Sequence, residues 1–301
     1  MNRLASTLAL FTIGLIWGST IPLTKIAVSS GHQPLGLIFW QLLFSSIVLI
    51  AITAIRRVKP PIQRHTLLYF LVIGLIGTIL PNSFSYLAAA QLPAGVMAIV
   101  IASVPMFSLA IANTLRIERF SLIRSAGVLL GAVAVAILVL PETSLPRPEK
   151  AIFVLVALIA PFCYGAEGNY IAARGPREVD AVTTLLGASV LGVFIAAPLA
   201  LATGAWVDLF VPWQAPEWAL LSSSLFHVAA YSGYIWLVGL AGPVFSSQVS
   251  YVVTLAGVFL SALILSENYS SWVWMALVLM LAGLALVQPR ALGRIAATEE
   301  A

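Results

Sequence analysis

The sequence predicts an all-α membrane protein with ten transmembrane helices in two inverted five-helix repeats, both termini cytoplasmic. Three observations predict it. Of 301 residues, 61% are hydrophobic and 9% charged, with a mean hydropathy of +1.04, more apolar surface than a water-soluble core can use. The apolar residues gather in ten stretches, each near the roughly 20 residues that a helix needs to cross a hydrocarbon core of about 30 Å. The last five stretches repeat features of the first five. Helices are expected rather than a barrel because the runs are continuously apolar, whereas barrel strands alternate over about 10 residues.

The first span, 4–27, carries Trp17-Gly18-Ser19-Thr20, Pro22 and, toward its outer end, Lys25. Arg3 precedes it as in a signal peptide, but the span is too long for one and shows no small-residue cleavage site, so it is expected to stay. Span 35–56 contains Phe39-Trp40-Gln41, and span 67–88 contains Pro81, Asn82 and Tyr86. Span 93–116 opens on Ala94-Gly95, holds Pro105 and closes near Glu118. Span 122–140 presents Gly127 and Gly131 four residues apart, as Gly14 and Gly18 stand in the first span, a spacing that lets helices approach closely. In the second half, span 151–173 holds Pro161, Cys163, Tyr164, Glu167, Asn169 and Tyr170, and span 182–203 holds Pro198. Span 217–238 carries Ser223, Ser224, His227, Tyr231 and Tyr234 on one face, span 243–266 carries Gln248 and Tyr251, and span 270–288 is the last. The connections are short, and the longest polar ones, near 141–150 and 204–216, cannot house a soluble domain.

Orientation follows from the basic residues, which are retained on the cytoplasmic side. With the N-terminus inside, twelve of the fifteen Lys and Arg fall on the cytoplasmic face and only Lys25, Arg147 and Lys150 fall outside. The net charge of +4 is then a topological device; dispersed among short loops, it argues against a nucleic-acid partner. Cys163, the single cysteine, excludes an intramolecular disulfide, a CxxC pair and a thiolate metal cage. There is no HExxH, GxSxG or Walker A sequence and no His/Asp cluster with metal-ligand spacing, so neither an enzyme nor a cofactor or metal is expected. Without a nucleotide-binding motif, direct ATP hydrolysis is not expected either.

Residues 1–145 and 146–301 are expected to form the two repeats of a single integrated membrane domain. Trp17-Gly18 is echoed by Tyr164-Gly165 and Ala94-Gly95 by Ala241-Gly242, both at an offset of 147 residues. Ile117-Glu118-Arg119-Phe120-Ser121 resembles Leu265-Ser266-Glu267-Asn268-Tyr269-Ser270, with the glutamates 149 apart. Five spans per unit is odd, so the second unit enters the membrane in the opposite sense, and such repeats permit mirror-related inward- and outward-open states.

Ten spans in two halves, Trp17-Gly18-Ser19-Thr20 followed by Lys25, and a glutamate closing the fourth and ninth spans resemble the drug/metabolite transporter superfamily in its EamA-type branch, over almost the whole chain. The overall pattern is similar to that of bacterial aromatic amino acid exporters. The resemblance implies a secondary carrier in the inner membrane, exporting amino acids or other small metabolites. One departure stands out. Many members carry an arginine in the second span where this chain has Gln41, and the missing fixed charge disfavours strongly anionic cargo such as sugar phosphates.

Polar groups at membrane depth are costly, so each present is a functional candidate. Glu167 suits proton coupling or capture of a substrate ammonium; alternatively it pairs with Arg174, seven residues on. His227, near the centre of its span, could relay a proton or simply bond a neighbouring carbonyl. Lys25 could attract a carboxylate or snorkel to the interface. Glu118 and Glu267 suit helix capping better than substrate contact. Trp17, Trp40, Gln41, Asn82, Tyr86, Tyr164, His227, Tyr231, Gln248 and Tyr251 offer aromatic faces and hydrogen-bonding groups for a neutral or zwitterionic amphipathic molecule. Some of these would instead be interfacial anchors. Pro22 and Pro161, flanking the Trp17 and Tyr164 motifs, are candidates for gating bends. The expected activity is alternating-access export of aromatic or other apolar amino acids. A broad-specificity drug or metabolite exporter, an intramembrane lipid-modifying enzyme and a channel are the alternatives. The expected partners are the substrate, the lipid bilayer and protons if transport is coupled, with no obligatory protein partner.

Overall fold

The computed structural model describes residues 3–116, 120–141, 143–176, 179–241, 246 and 248–287. Among these residues it is helical, without strands. The long helical segments are α1 (Arg3–Val28), α2 (Pro34–Ile55), α3 (Arg64–Gln91), α4 (Ala94–Thr114) and α5 (Leu122–Val139) in the first half. The second half contributes α6 (Pro148–Arg174), α7 (Ala181–Ala202), α8 (Ala215–Ala241), α9 (Val249–Leu265) and α10 (Ser271–Val287). Segments α1 to α7 are the 7 that are long and apolar enough to cross a membrane by length and composition. The α8 helix runs for 27 residues, and α9 and α10 are shorter apolar helices of 17 residues each. Each segment overlaps one predicted span, with ends displaced by a few residues.

Local chemistry explains the ends. Pro34 sits in the first turn of α2, where its missing N–H breaks no helical bond. Asp180 caps α7, accepting from the Thr183 N–H at 2.8 Å. Ser266, at φ 53°, closes α9 in the left-handed region. Prolines account for the interruptions inside helices. A proline has no N–H for the carbonyl four residues back, and Pro81, Pro105 and Pro161 follow, respectively, a π-turn at Leu75–Ile79, a break at Ala102–Ser103 and a break at Leu158. Pro22 differs, lying inside an α1 that continues through it.

Leu4, Leu8, Phe11 and Leu15 recur at helical spacing on the outside of α1, all exposed. Leu122, Leu129, Val133 and Leu140 do the same on and beside α5. Such stripes would be untenable in water but are the surface that lipid requires. Inside, α4 is the most enclosed segment, every residue from Ala94 to Val100 being buried.

Helix α1 packs against α8 and α9, α6 against α3 and α4, α2 against α7 and α8, and α3 against α7. Helix α4 also meets α9, and α5 meets α10. Exchanging α1–α5 for α6–α10 interchanges α1·α8 with α3·α6, α1·α9 with α4·α6 and α2·α8 with α3·α7, and maps α2·α7, α4·α9 and α5·α10 onto themselves. Small residues sit at the closest approaches. A Cβ on Gly18 would lie 2.6 Å from the Ala256 Cβ, and one on Gly165 would lie 2.7 Å from the Ser108 nitrogen. Between α5 and α10, a Cβ on Gly127 or on Gly283 would meet the other's carbonyl oxygen at 2.7 Å. These contacts bear out the close-packing reading of the glycines at 18 and 127.

Candidate functional site

The interior site begins with the π-turn of α3. Without an N–H at Pro81 the helix widens over Leu75–Ile79, and such turns often mark functional positions. It places Asn82 and Tyr86 on the face toward α2 and α6. There a neutral hydrogen-bond chain crosses three helices. Tyr86 Oη donates to Gln41 Oε1 at 2.6 Å, Asn82 Nδ2 donates to the same oxygen at 3.0 Å, and Tyr164 Oη donates to Asn82 Oδ1 at 3.0 Å. Four residues selected from sequence thus belong to one network. Gln41 supplies its carbonyl oxygen to two donors, which leaves its Nε2 donors without a partner among the described residues.

A second group is aromatic and joins α1 to α8. The Trp17 ring meets His227, Tyr231 and Tyr234 edge-on, at centroid distances of 6.0, 6.3 and 6.0 Å. His227 stacks on Tyr231 at 6.2 Å and 16°, as residues four apart on a helix can. All four rings are partly exposed, so their faces are not consumed by packing.

Glu167 lies between these groups. Its carboxyl abuts Gly77 in the π-turn, a position that any side chain would occupy. Tyr69, Tyr164 and Tyr231 lie within electrostatic reach of it. The ion pairs among the described residues are His32–Glu217 at 2.9 Å and Arg56–Asp180. Glu167 belongs to neither, so the alternative in which Arg174 merely balances it is absent from this conformation.

Other candidates stand apart. Lys25 Nζ donates to the carbonyls of Ala89 and Leu92, at 2.6 and 2.8 Å, closing the C-terminal end of α3. It borders a cavity of about 360 Å³ together with Arg147, Lys150 and Glu267. Trp40 Nε1 donates to the Val207 carbonyl at 2.7 Å, and its ring packs with Phe39, Phe44 and Trp206 under the loop between α7 and α8. Gln248 is exposed at the start of α9, and Tyr251 is half-buried on the same helix, with no ring partner among the described residues. Pro161 stands at the break in α6. Glu267 is a cap, as expected: Oε1 accepts from Ala94 N–H at 2.8 Å and Oε2 from Gly95 N–H at 3.2 Å. Glu118 and Gly242 lie outside the described residues. Asn169 is glue rather than wall, its Nδ2 donating to Ser108 O at 3.0 Å and Gly165 O at 2.8 Å.

Sequence reasoning missed Gly77 and Tyr69. Gly77 is one glycine among 21, and only its position four residues before Pro81 hinted at a widened turn. Tyr69 stacks on Tyr170 at 5.9 Å and 18°; nothing in its own span signals that.

Comparison with known proteins gives a consistent picture. The model of the EamA-like transporter family matches residues 4–140 and again residues 151–288. The chain is 27% identical over 280 residues to YedA of Escherichia coli (strain K12), described as an uncharacterized inner membrane transporter, covering 93% of this chain and 89% of that one. YedA of Escherichia coli O157:H7 matches to the same extent. A crystal structure described only as that of a protein superposes with a TM-score of 0.61 at 20% identity, covering 95% of this chain and 96% of that one, which is a likeness of fold.

Proposed function

Because this chain belongs to the EamA-like transporter family, we propose that it is a secondary carrier exporting small amphipathic metabolites, aromatic or other apolar amino acids foremost. It is a multi-pass protein of the inner membrane. In this reading all ten helical segments cross, both termini are cytoplasmic, and the halves are inverted repeats that exchange roles between inward- and outward-open states. Two features support the repeat: the family model matches twice, and helix contacts map onto one another when the halves are exchanged.

The observation that carries the substrate class is the pairing of two walls. Trp17, His227, Tyr231 and Tyr234 offer aromatic faces, and Gln41, Asn82, Tyr86 and Tyr164 offer a neutral polar chain beside them. An amphipathic molecule needs one surface of each kind. Glu167 and His227 are the groups in this wall whose charge can change, so proton coupling would act through them.

The test is counterflow in liposomes. Purified protein should accumulate labelled phenylalanine, tryptophan or leucine against unlabelled amino acid, while protein-free liposomes should not. Trp17→Ala should lower the rate by about tenfold, the effect of roughly 1.4 kcal/mol of lost contact, without reducing the amount of protein in the membrane. Absence of counterflow for every apolar amino acid would refute the substrate class.

A further inference from the structure

We infer that the interior site selects its cargo by a protonated amine, held by the Glu167 carboxylate while the rings of Trp17, His227 and Tyr231 take the apolar body. This rests on the carrier reading above and narrows it to a charge requirement. Glu167 is the one acidic side chain of the described helices placed away from a helix end, and among the described residues it has neither an ion pair nor a hydrogen bond. Even a half-buried carboxylate with no partner is costly inside a membrane protein. Arg174, seven residues on along the same helix, forms no ion pair with Glu167, and other basic side chains are committed elsewhere: Lys25 to the α3 carbonyls, Arg56 to Asp180, and Arg124 to the Val287 carbonyl at 3.1 Å. A cation from outside the chain would supply the partner that Glu167 lacks among the described residues.

Tyr231 makes the geometry specific. It lies within electrostatic reach of Glu167 and also stacks on His227 and meets the edge of Trp17. An ammonium at Glu167 would have the electron-rich faces of these rings beside it, an arrangement that favours organic cations. The opposite charge finds no match. Gln41, which could donate through Nε2, is neutral, and among the described residues no Lys or Arg joins the network of Gln41, Asn82, Tyr86 and Tyr164. A carboxylate on the cargo is tolerated, and the amine is required.

The test compares 2-phenylethylamine, L-phenylalanine and N-acetyl-L-phenylalanine as tracers in liposomes holding the full chain. The free amines should both be carried. The N-acetyl compound should move at least about tenfold more slowly, the loss expected when a charged hydrogen bond goes unmade. Glu167→Gln should abolish the preference for the amines, and Glu167→Asp, which keeps the carboxylate, should retain it. If N-acetyl-L-phenylalanine moves as fast as the amines, or if Glu167→Gln keeps the preference, the inference is overturned and the carrier reading stands. If wild-type protein moves none of the three, both fall.

Discussion

Gln41 shows how much rests on one side chain. Its Oε1 accepts from Tyr86 Oη and Asn82 Nδ2 together, so replacing it orphans two donors, one of them on the buried Tyr86. An unpaired buried donor costs about 1 to 3 kcal/mol, more than an ordinary hydrogen bond contributes. Gln41→Leu should therefore lower thermal stability in detergent by about 2 kcal/mol or more, whereas Tyr86→Phe, which removes donor and bond together, should cost only about 1 kcal/mol. Tyr86→Phe added to Gln41→Leu should cost less than it does alone, because its hydroxyl is already unpaired. Equal costs in both backgrounds would show that Gln41 and Tyr86 are not coupled. Glu167 is the contrasting case: among the described residues it has neither an ion pair nor a hydrogen bond.

Among the elements, α7 illustrates how a helix start can join two segments. Asp180 caps it by accepting from the Thr183 N–H and also receives Arg56 from the end of α2. Burial alone would push the Asp180 carboxyl up, but the hydrogen bonds from Thr183 and Arg56 outweigh it and hold the group below its ordinary range. The stability from this group is present above the unfolded carboxyl value and is lost as pH falls through the lower folded one. Asp180→Asn keeps a capping side chain but loses the charge. It should melt below wild type at neutral pH, and the gap should close as pH falls below about 4. A gap that stays constant through that range would mean the charge contributes nothing. At the other end of α3, Lys25 and Glu267 hold the turn into α4 from both sides, the lysine on the last carbonyls and the glutamate on the first N–H groups. Each charge faces the helix end whose dipole attracts it.

At the scale of the whole molecule, the basic residues set the expected orientation. Cysteines replacing Glu149 and Asp208 should react with an impermeant thiol reagent from outside the cell, and one replacing Arg57 should not, each in a Cys163→Ala background. All three positions are exposed, which makes them better reporters than Glu217, buried by its pairing with His32. The reverse pattern would overturn the orientation.

The sequence by itself determined the solvent and the elements. Hydropathy is a local quantity and bilayer thickness a fixed length, so a run of apolar residues is enough to locate a helix. It also made candidates of Gln41, Asn82, Tyr86, Tyr164 and Trp17, because polar and aromatic groups inside such runs are costly or conspicuous. Tertiary structure alone decided what each group does. Lys25, which could have met a carboxylate, closes a helix on Ala89 and Leu92. Trp40, one residue before Gln41, turns to Val207 in the loop between α7 and α8, 167 positions away, while Gln41 turns inward to Asn82, 41 positions away. Adjacent residues on a helix point about 100° apart, and which neighbour each direction meets depends on how distant helices pack. That Glu167 and Arg174 do not pair was equally invisible, because Arg174 lies at a plausible spacing along the chain and only packing separates them.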